Sequence, residues 1–165
     1  MATKDKSIEN KPWLFAREDV TIDDRGRISV KPRYRQFLGE EIVLRLHPMG
    51  YVEVLKLADF EEQVRRIQAL DQMDPDVQLY RKLVFNYTYS EEGWDNQGRL
   101  VIPRPLREAA GLKRDVILIG ENMNVEVWSA ELRHQFDFKN DTFDMSRTKL
   151  YGELYQRIRQ NGGQL

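Results

Sequence analysis

The sequence predicts a mixed α+β fold, mainly β with peripheral α-helices, built from two copies of one unit. Ile22–Val30 aligns with Trp94–Ile102 at an offset of 72, with Asp, Gly and Arg at the same places. The match continues as Pro32–Gly39 aligns with Arg104–Gly111. Short alternating apolar runs and a helix-like stretch accompany each copy. Internal similarity at a fixed spacing indicates a duplicated structural unit.

Each copy predicts the same order of strands and turns. Val20-Thr-Ile22 alternates as a half-buried strand does, and a polar turn ending in a glycine follows in both copies, at Gly26 and Gly98. A short basic turn of helix comes next. The further predicted strands are short branched apolar runs and alternating runs: 42–46 and 116–119, then 51–55 and 124–128.

Helical spacing predicts the remaining elements. Apolar residues recur at helical intervals over Leu57–Leu70, and a second helix is expected at Ser129–Phe136. Asp74-Pro75 predicts an N-cap with proline at the first helical position. Leu150, Leu154 and Ile158 form an apolar stripe that predicts a C-terminal helix.

These elements predict five segments along the chain. They are a polar N-terminal tail (1–16), a first repeat with its helix (17–70), a linking helix (71–88), a second repeat with its helix (89–136) and a C-terminal extension that is helical (137–165).

Composition excludes several classes of protein. The chain has 165 residues, of which 41% are apolar, and no cysteine, which excludes thiol catalysis, disulfides and thiolate metal sites. No apolar run approaches the ~18 residues of a membrane span. We therefore expect a soluble cytoplasmic protein with no membrane partner.

Charge is unevenly distributed although the net charge is only −1. Residues 25–35 carry five cations and no acid, and residues 99–107 carry three cations and no acid. Two basic segments on an otherwise acidic chain predict a localised site for an anionic partner.

An Asp-x-x-x-Arg motif crosses each predicted turn, from Asp23 to Arg27 and from Asp95 to Arg99. A single copy would be read as an exposed ion pair worth ~0–1 kcal/mol. Two copies in register favour a function, because a guanidinium held by a carboxylate matches phosphate oxygens or the O6/N7 edge of guanine. The motif leaves open whether bases or phosphates are contacted.

The sequence therefore predicts a DNA-binding set with defined roles. Arg27 and Arg99 contact the nucleic acid, while Asp23 and Asp95 orient them. Gly26 and Gly98 let the turns close and a partner approach. The remaining predicted contacts, mainly to phosphates, are Arg25, Lys31, Arg33, Arg35, Arg104 and Arg107; Arg35 and Arg107 could equally cap carbonyls or pair within the fold.

The paired motifs, and above all the run from Gly98 to Leu112, resemble the MraZ family of bacterial transcription regulators over roughly residues 17–136. The resemblance implies two AbrB-like swapped-hairpin units that close into one small β-barrel. It further implies a ring-shaped homo-oligomer that binds direct repeats in promoter DNA of the division and cell-wall gene cluster. Lys31 departs from the family, which usually has proline there.

Enzymatic function is not expected. The two histidines, His47 and His134, lie in unrelated contexts, and no phosphate loop or nucleophile elbow is present. We expect no cofactor, no metal and no small-molecule substrate, but a nucleoid-associated regulator, most simply a repressor. Two alternatives remain: an AbrB-like antitoxin that binds a toxin through its C-terminal extension, and a ring scaffold that does not bind DNA.

Overall fold

The computed structural model describes residues 11–90, 93–139 and 143–165, and these residues form a mixed α+β fold. Within them lie a six-stranded antiparallel sheet, a two-stranded ribbon and six helices. In chain order the elements are β1 (Arg17–Thr21), β2 (Arg27–Ser29), α1 (Pro32–Leu38), β3 (Ile42–Leu46), β4 (Val52–Lys56), α2 (Leu57–Gln68), α3 (Pro75–Phe85), β5 (Thr88–Tyr89), β6 (Arg99–Val101), α4 (Arg104–Ala109), β7 (Asp115–Glu121), β8 (Asn124–Ser129), α5 (Ala130–Phe138) and α6 (Ser146–Gln160).

The large sheet joins strands from both halves of the chain. Its order is β1-β7-β8-β4-β3-β5, and Val54 of β4 pairs with Val125 of β8 at the junction between the halves. The order ends at β1 on one side and β5 on the other. The pairing among the described residues therefore closes no barrel, and the predicted closed barrel is not confirmed.

The two halves share one order of elements. Both the segment β2-α1-β3-β4-α2 and the segment β6-α4-β7-β8-α5 run strand, helix, strand, strand, helix. The residue before the first helix has φ −55° and ψ 141° at Lys31, against φ −55° and ψ 142° at Pro103. Lysine at the position where the family usually has proline therefore leaves the start of α1 unchanged.

Two apolar clusters lie on opposite faces of the sheet. Val52, Val54 and their neighbours pack on one face together with Ile28 and Leu100 of the β2–β6 ribbon. The ribbon thus covers this face with its apolar side, and its other side points outward. On the second face, Val43 and Leu55 contact α2, α3 and α6. Burying the two faces places the ribbon, with α1 and α4, on one side of the sheet and α2, α3 and α6 on the other.

The predicted C-terminal stripe belongs to the fold. Leu154 and Ile158 lie on α6 and are buried against the second face. The Tyr80 and Tyr151 hydroxyls are hydrogen-bonded at 2.8 Å and join α3 to α6. The stripe proposed as a surface for a toxin is therefore occupied by this chain's own helices.

The predicted helix starts agree with the structure at one position and differ slightly at another. Asp74 caps α3 by accepting a hydrogen bond from the Asp76 amide at 2.8 Å, and Pro75 is the first helical residue as predicted. Ser129, predicted as helical, instead caps α5 by accepting from the Leu132 amide at 3.1 Å. A serine hydroxyl competes with the backbone for hydrogen bonds and so favours the cap.

The N-terminal segment falls partly within the described residues. Of the predicted tail, residues 1–10 lie outside them, whereas Leu14 is buried in the main cluster and bridges to Asn122. The first strand spans Arg17–Thr21 and so begins before the predicted 20–22. The division into five segments stays a prediction.

Candidate functional site

The first Asp-x-x-x-Arg motif forms a tight turn closed by its own carboxylate. Asp23 Oδ1 accepts hydrogen bonds from the amides of Arg25 and Arg27, both at 2.9 Å. Asp23 Oδ2 accepts a third from Arg27 Nε at 2.6 Å. Gly26 has φ +79°, and its amide donates to the Asp23 carbonyl at 2.9 Å. One aspartate thus fixes both the turn and the arginine side chain.

The second motif reproduces this arrangement. Asp95 Oδ1 accepts from the amides of Gln97 and Arg99, both at 2.9 Å, and Oδ2 accepts from Arg99 Nε at 2.7 Å. Gly98 has φ +70° and donates to the Asp95 carbonyl at 2.9 Å. We call the Asp23–Arg27 pair the first fork and the Asp95–Arg99 pair the second fork.

Both carboxylates are held in the ionised form. Hydrogen bonds from the Arg27 amide and side chain lower the pKa of Asp23 below its ordinary value. The corresponding bonds from Arg99 lower the pKa of Asp95 in the same direction. Since hydrogen bonds to a carboxylate favour its charged form, the forks remain intact at neutral pH.

The two forks share one face of the β2–β6 ribbon. Arg27 lies opposite Val101 and Ser29 lies opposite Arg99, while Ile28 between them is buried. Because side chains alternate along a strand, both arginines point away from the core. They are diagonal neighbours, which places their Cα atoms about 7–8 Å apart.

Each fork leaves part of its guanidinium available. Only Nε is engaged with the aspartate, and within the described ranges no partner is recorded for the Nη nitrogens of Arg27 or Arg99. Their side chains are 25% and 28% exposed. Each guanidinium therefore keeps the N–H donors of both Nη groups for hydrogen bonds to a partner, in a fixed orientation.

Arg35 and Arg107 pack against the turn of the opposite half. Arg107 Nη1 lies 1.7 Å from the position that a Cβ on Gly26 would take, and Arg35 Nη1 lies 2.0 Å from the equivalent point on Gly98. Their sequence interpretation left open phosphate contact, carbonyl capping or pairing within the fold. In the structure each side chain packs against the fork turn of the other half: Arg107 against the first turn and Arg35 against the second.

The other predicted cations differ in their partners. Arg25 is exposed on the first turn. Lys31 forms an ion pair with Glu18, and Arg104 pairs with Glu108 at 2.7 Å. Arg33 donates to the Trp13 carbonyl at 2.9 Å and lies over the Phe15 ring. Lys31, Arg33 and Arg104 therefore each contact a partner outside the two forks.

Two further cations beside the first fork were missed in the sequence. Lys113 and Arg114 follow α4 of the second half, yet the Arg114 carbonyl accepts a hydrogen bond from the Ile22 amide at 2.8 Å. They contribute to the wall of a cleft that also includes Asp23 and Arg107. A signal was present, since the segment between Gly111 and Val116 contains Lys113 and Arg114, whereas the shorter segment between Gly39 and Ile42 in the first repeat consists of Glu40 and Glu41.

Among the described residues, no group of three or more His, Asp or Glu side chains is positioned to hold a metal ion. Burial lowers the pKa of His47 to about 4, and its ring stacks on Tyr51, which makes it a neutral packing residue. No helix in the same ranges is long and apolar enough to cross a bilayer.

Comparison with known proteins identifies the family. A family model described as "MraZ protein, putative antitoxin-like" matches residues 90–150. A protein of Thermomicrobium roseum named "Transcriptional regulator MraZ" is 33% identical over 118 residues, which cover 67% of this chain and 77% of that protein. The chain belongs to the MraZ family.

Other MraZ proteins extend the match over more of the chain. The relative from Mycoplasmopsis pulmonis is 28% identical over 131 residues, covering 79% of this chain and 86% of that protein. The relative from Methylococcus capsulatus is 32% identical over 117 residues, covering 68% and 76%. Both carry the name transcriptional regulator MraZ, which describes a regulator and not an enzyme.

Proposed function

We propose that this MraZ protein is a transcriptional regulator that binds double-stranded DNA in a sequence-specific way. The observation that carries the proposal is the pair of aspartate-held arginine forks on the outer face of a two-stranded ribbon. The major groove of B-DNA admits a two-stranded β-ribbon. Names of the relatives as transcriptional regulators support the same role.

In this proposal the forks read bases. Arg27 and Arg99 each present Nη groups suited to the O6 and N7 atoms of guanine, and Asp23 and Asp95 hold the guanidinium planes in one orientation. Gly26 and Gly98 keep the turns free of side chains where the backbone approaches DNA. A fork that is already ordered loses little side-chain entropy on binding.

The surrounding cations contact phosphates. Arg25 is exposed on the first turn and can do so directly. Arg104 forms an exposed ion pair of small net value with Glu108, which a phosphate can replace at little cost. The Lys31 side chain is exposed as well, although its partner Glu18 is only 14% exposed. Arg33, which lies against the N-terminal segment, contacts the DNA backbone at the edge of the interface. Arg35 and Arg107 add positive charge beneath the turns.

Repetition strengthens the binding. We propose that the two halves are AbrB-like units that complete a small barrel and that the chain forms a homo-oligomeric ring. Successive forks on the ring then meet direct repeats upstream of the division and cell-wall gene cluster, where the protein acts as a nucleoid-associated repressor in the cytoplasm. Linking weak modules raises the overall affinity by orders of magnitude when their spacing fits.

A gel-shift titration tests the proposal on DNA from upstream of the protein's own gene, with a scrambled duplex of equal composition as the control. Wild type should bind the upstream duplex at least tenfold more tightly. Arg27→Ala and Arg99→Ala should each reduce this preference, whereas Arg147→Ala, an exposed cation on α6, should not. Equal binding of both duplexes by wild type would refute sequence-specific recognition.

Substitution by lysine separates base contacts from phosphate contacts. Arg27→Lys keeps the charge but loses the planar fork. If the fork reads guanine, this variant loses about 1–3 kcal/mol on the upstream duplex and keeps its affinity for the scrambled one. If both affinities stay unchanged, Arg27 contacts phosphate only.

The two alternatives predict different results in the same titration. A ring scaffold gives no shift with either duplex. An antitoxin requires a toxin-binding surface, and the apolar stripe proposed for it is buried on α6. The structure therefore offers no support for a toxin at that stripe, and we do not propose it.

A further inference from the structure

A cleft of about 510 Å³ lies beside the first fork. Its wall comes from both halves of the chain: the β1 end and the first turn on one side, and the segment after α4 on the other. The lining residues are Thr21, Ile22, Asp23, Asp24, Arg107, Leu112, Lys113 and Arg114. A hydrogen bond from the Ile22 amide to the Arg114 carbonyl, at 2.8 Å, joins the two sides.

Three cations converge on this cleft from the second half. The Arg107 guanidinium packs on Gly26, and no hydrogen-bond acceptor is recorded for it within the described residues. Lys113 and Arg114 are exposed. The nearest carboxylate to Lys113 is Glu131 at 4.0 Å, and because both side chains are exposed this pair contributes little.

Two carboxylates also line the cleft, but the negative charge of one of them is compensated by Arg27. Asp23 accepts three hydrogen bonds from its own turn and from Arg27. Asp24 is exposed and points into the same region. With Arg25 and Arg27 on the turn itself, cations outnumber carboxylates around the first fork.

The corresponding surroundings of the second fork have the opposite sign. The indole Nε1 of Trp94 donates to the Gly39 carbonyl at 2.8 Å, and a Cβ on Gly93 would lie 3.1 Å from Ile42 Cγ1. The segment that runs beside the second turn therefore carries Glu40 and Glu41, where the first turn has Lys113 and Arg114. Arg35 is a cation that the first half contributes there.

We propose that the cleft binds a phosphate of the DNA backbone next to the base contacted by Arg27. The first fork then provides most of the affinity, and the second fork contributes mainly discrimination between bases. This inference rests on the proposed function, since it assumes that the ribbon binds DNA. It assigns a phosphate-binding role to Lys113 and Arg114 and makes the two forks unequal.

The test compares two double variants that remove the same charge. Lys113→Ala with Arg114→Ala removes the rim of the cleft, whereas Arg147→Ala with Lys149→Ala removes two exposed cations from α6. All proteins are titrated with the upstream duplex at several salt concentrations. The cleft variant should bind roughly tenfold more weakly at low salt, and its slope of log K against log salt should be about 0.9 smaller in magnitude, as the loss of one phosphate contact predicts. The α6 variant should match wild type.

Combining the cleft variant with each fork variant shows which fork lies next to the phosphate contact. The loss in the cleft variant should be non-additive with Arg27→Ala and additive with Arg99→Ala, because only neighbouring contacts couple. Glu40→Gln with Glu41→Gln should tighten binding by removing repulsion beside the second fork. Circular dichroism confirms that each variant is folded.

Each other outcome overturns the inference in a distinguishable way. If wild type shifts the duplex but the cleft variant equals the α6 variant, the cleft is not a phosphate site although the proposed function stands. If wild type gives no shift, the proposed function itself fails. If inorganic phosphate binds saturably to wild type while the cleft variant keeps full DNA affinity, the cleft holds a free anion and not the backbone.

Discussion

The Arg107 guanidinium occupies the space that a side chain on Gly26 would need, with Nη1 only 1.7 Å from the ideal Cβ position. Arg107 belongs to the second half and Gly26 to the first. Arg35 and Gly98 repeat this contact in the reverse direction at 2.0 Å. Each fork turn is therefore held by an arginine from the other half, so the two halves position each other's binding loops.

Substitution of the turn glycines should reveal this contact. Gly111 has φ +62° and nothing within 4 Å of its Cβ position, so Gly111→Ala measures the strain of a left-handed backbone alone, about 1–2 kcal/mol. Gly26→Ala must also displace Arg107 and meets the Ile102 carbonyl oxygen at 2.8 Å, which adds about 1–3 kcal/mol. Urea denaturation measures both. Equal losses would show that Arg107 does not confine the turn.

Removal of Arg107 or Arg35 should loosen the fork turn of the opposite half. Arg107→Ala should speed amide exchange at Gly26 and Arg27 in the first turn and leave the second turn unchanged. Arg35→Ala should affect the second turn only. Hydrogen exchange measured by NMR on the free protein checks this without DNA, and faster exchange in the turn of the same half would contradict the crossed contact.

Truncation on α6 should destabilise the protein. Leu154 is fully buried between α6 and the second face of the sheet, and Leu154→Ala should cost about 2–5 kcal/mol of unfolding free energy because it leaves a cavity. Leu79→Ala on α3 is the matched control, since Leu79 is 38% exposed. A neutral Leu154→Ala in thermal or urea unfolding would mean that the C-terminal helix is detached in solution.

Acidification should weaken the fold through His47. Burial lowers the pKa of His47 from 6.5 to about 4, so between these pH values the unfolded chain binds a proton that the folded chain does not. Stability from this group is complete above pH 6.5 and is lost as pH falls to 4, by at most about 3 kcal/mol. His47→Phe keeps the stacking on Tyr51 but cannot titrate, and its stability should change less over this interval in urea titrations. Identical pH profiles would assign the loss to other groups.

The proposed ring makes a direct prediction about mass. Light scattering should report several times the 19.6 kDa of one chain at micromolar concentrations. A mass of one chain across that range would remove the ring and the avidity argument, while leaving recognition by a single subunit open to the gel-shift test.

Local features of the fold were evident in the sequence because they depend on nearby residues. The Asp23 and Asp95 turns, the positive φ of Gly26 and Gly98, and the Asp74 cap all arise from hydrogen bonds within four residues. Such contacts leave a motif that can be read directly. The similar order of elements in the two halves followed from the repeat.

Contacts between the halves were decided only by the tertiary structure. Arg107 reaches Gly26, and Lys113 and Arg114 lie beside the first turn, because β1 pairs with β7 and β2 pairs with β6 over long stretches of chain. Alternation along a strand indicates which face is apolar but not which strand lies next to it. The same limit explains the stripe of Leu154 and Ile158, whose periodicity predicted a helix with one apolar face, while only packing showed that this face is covered by α2 and α3.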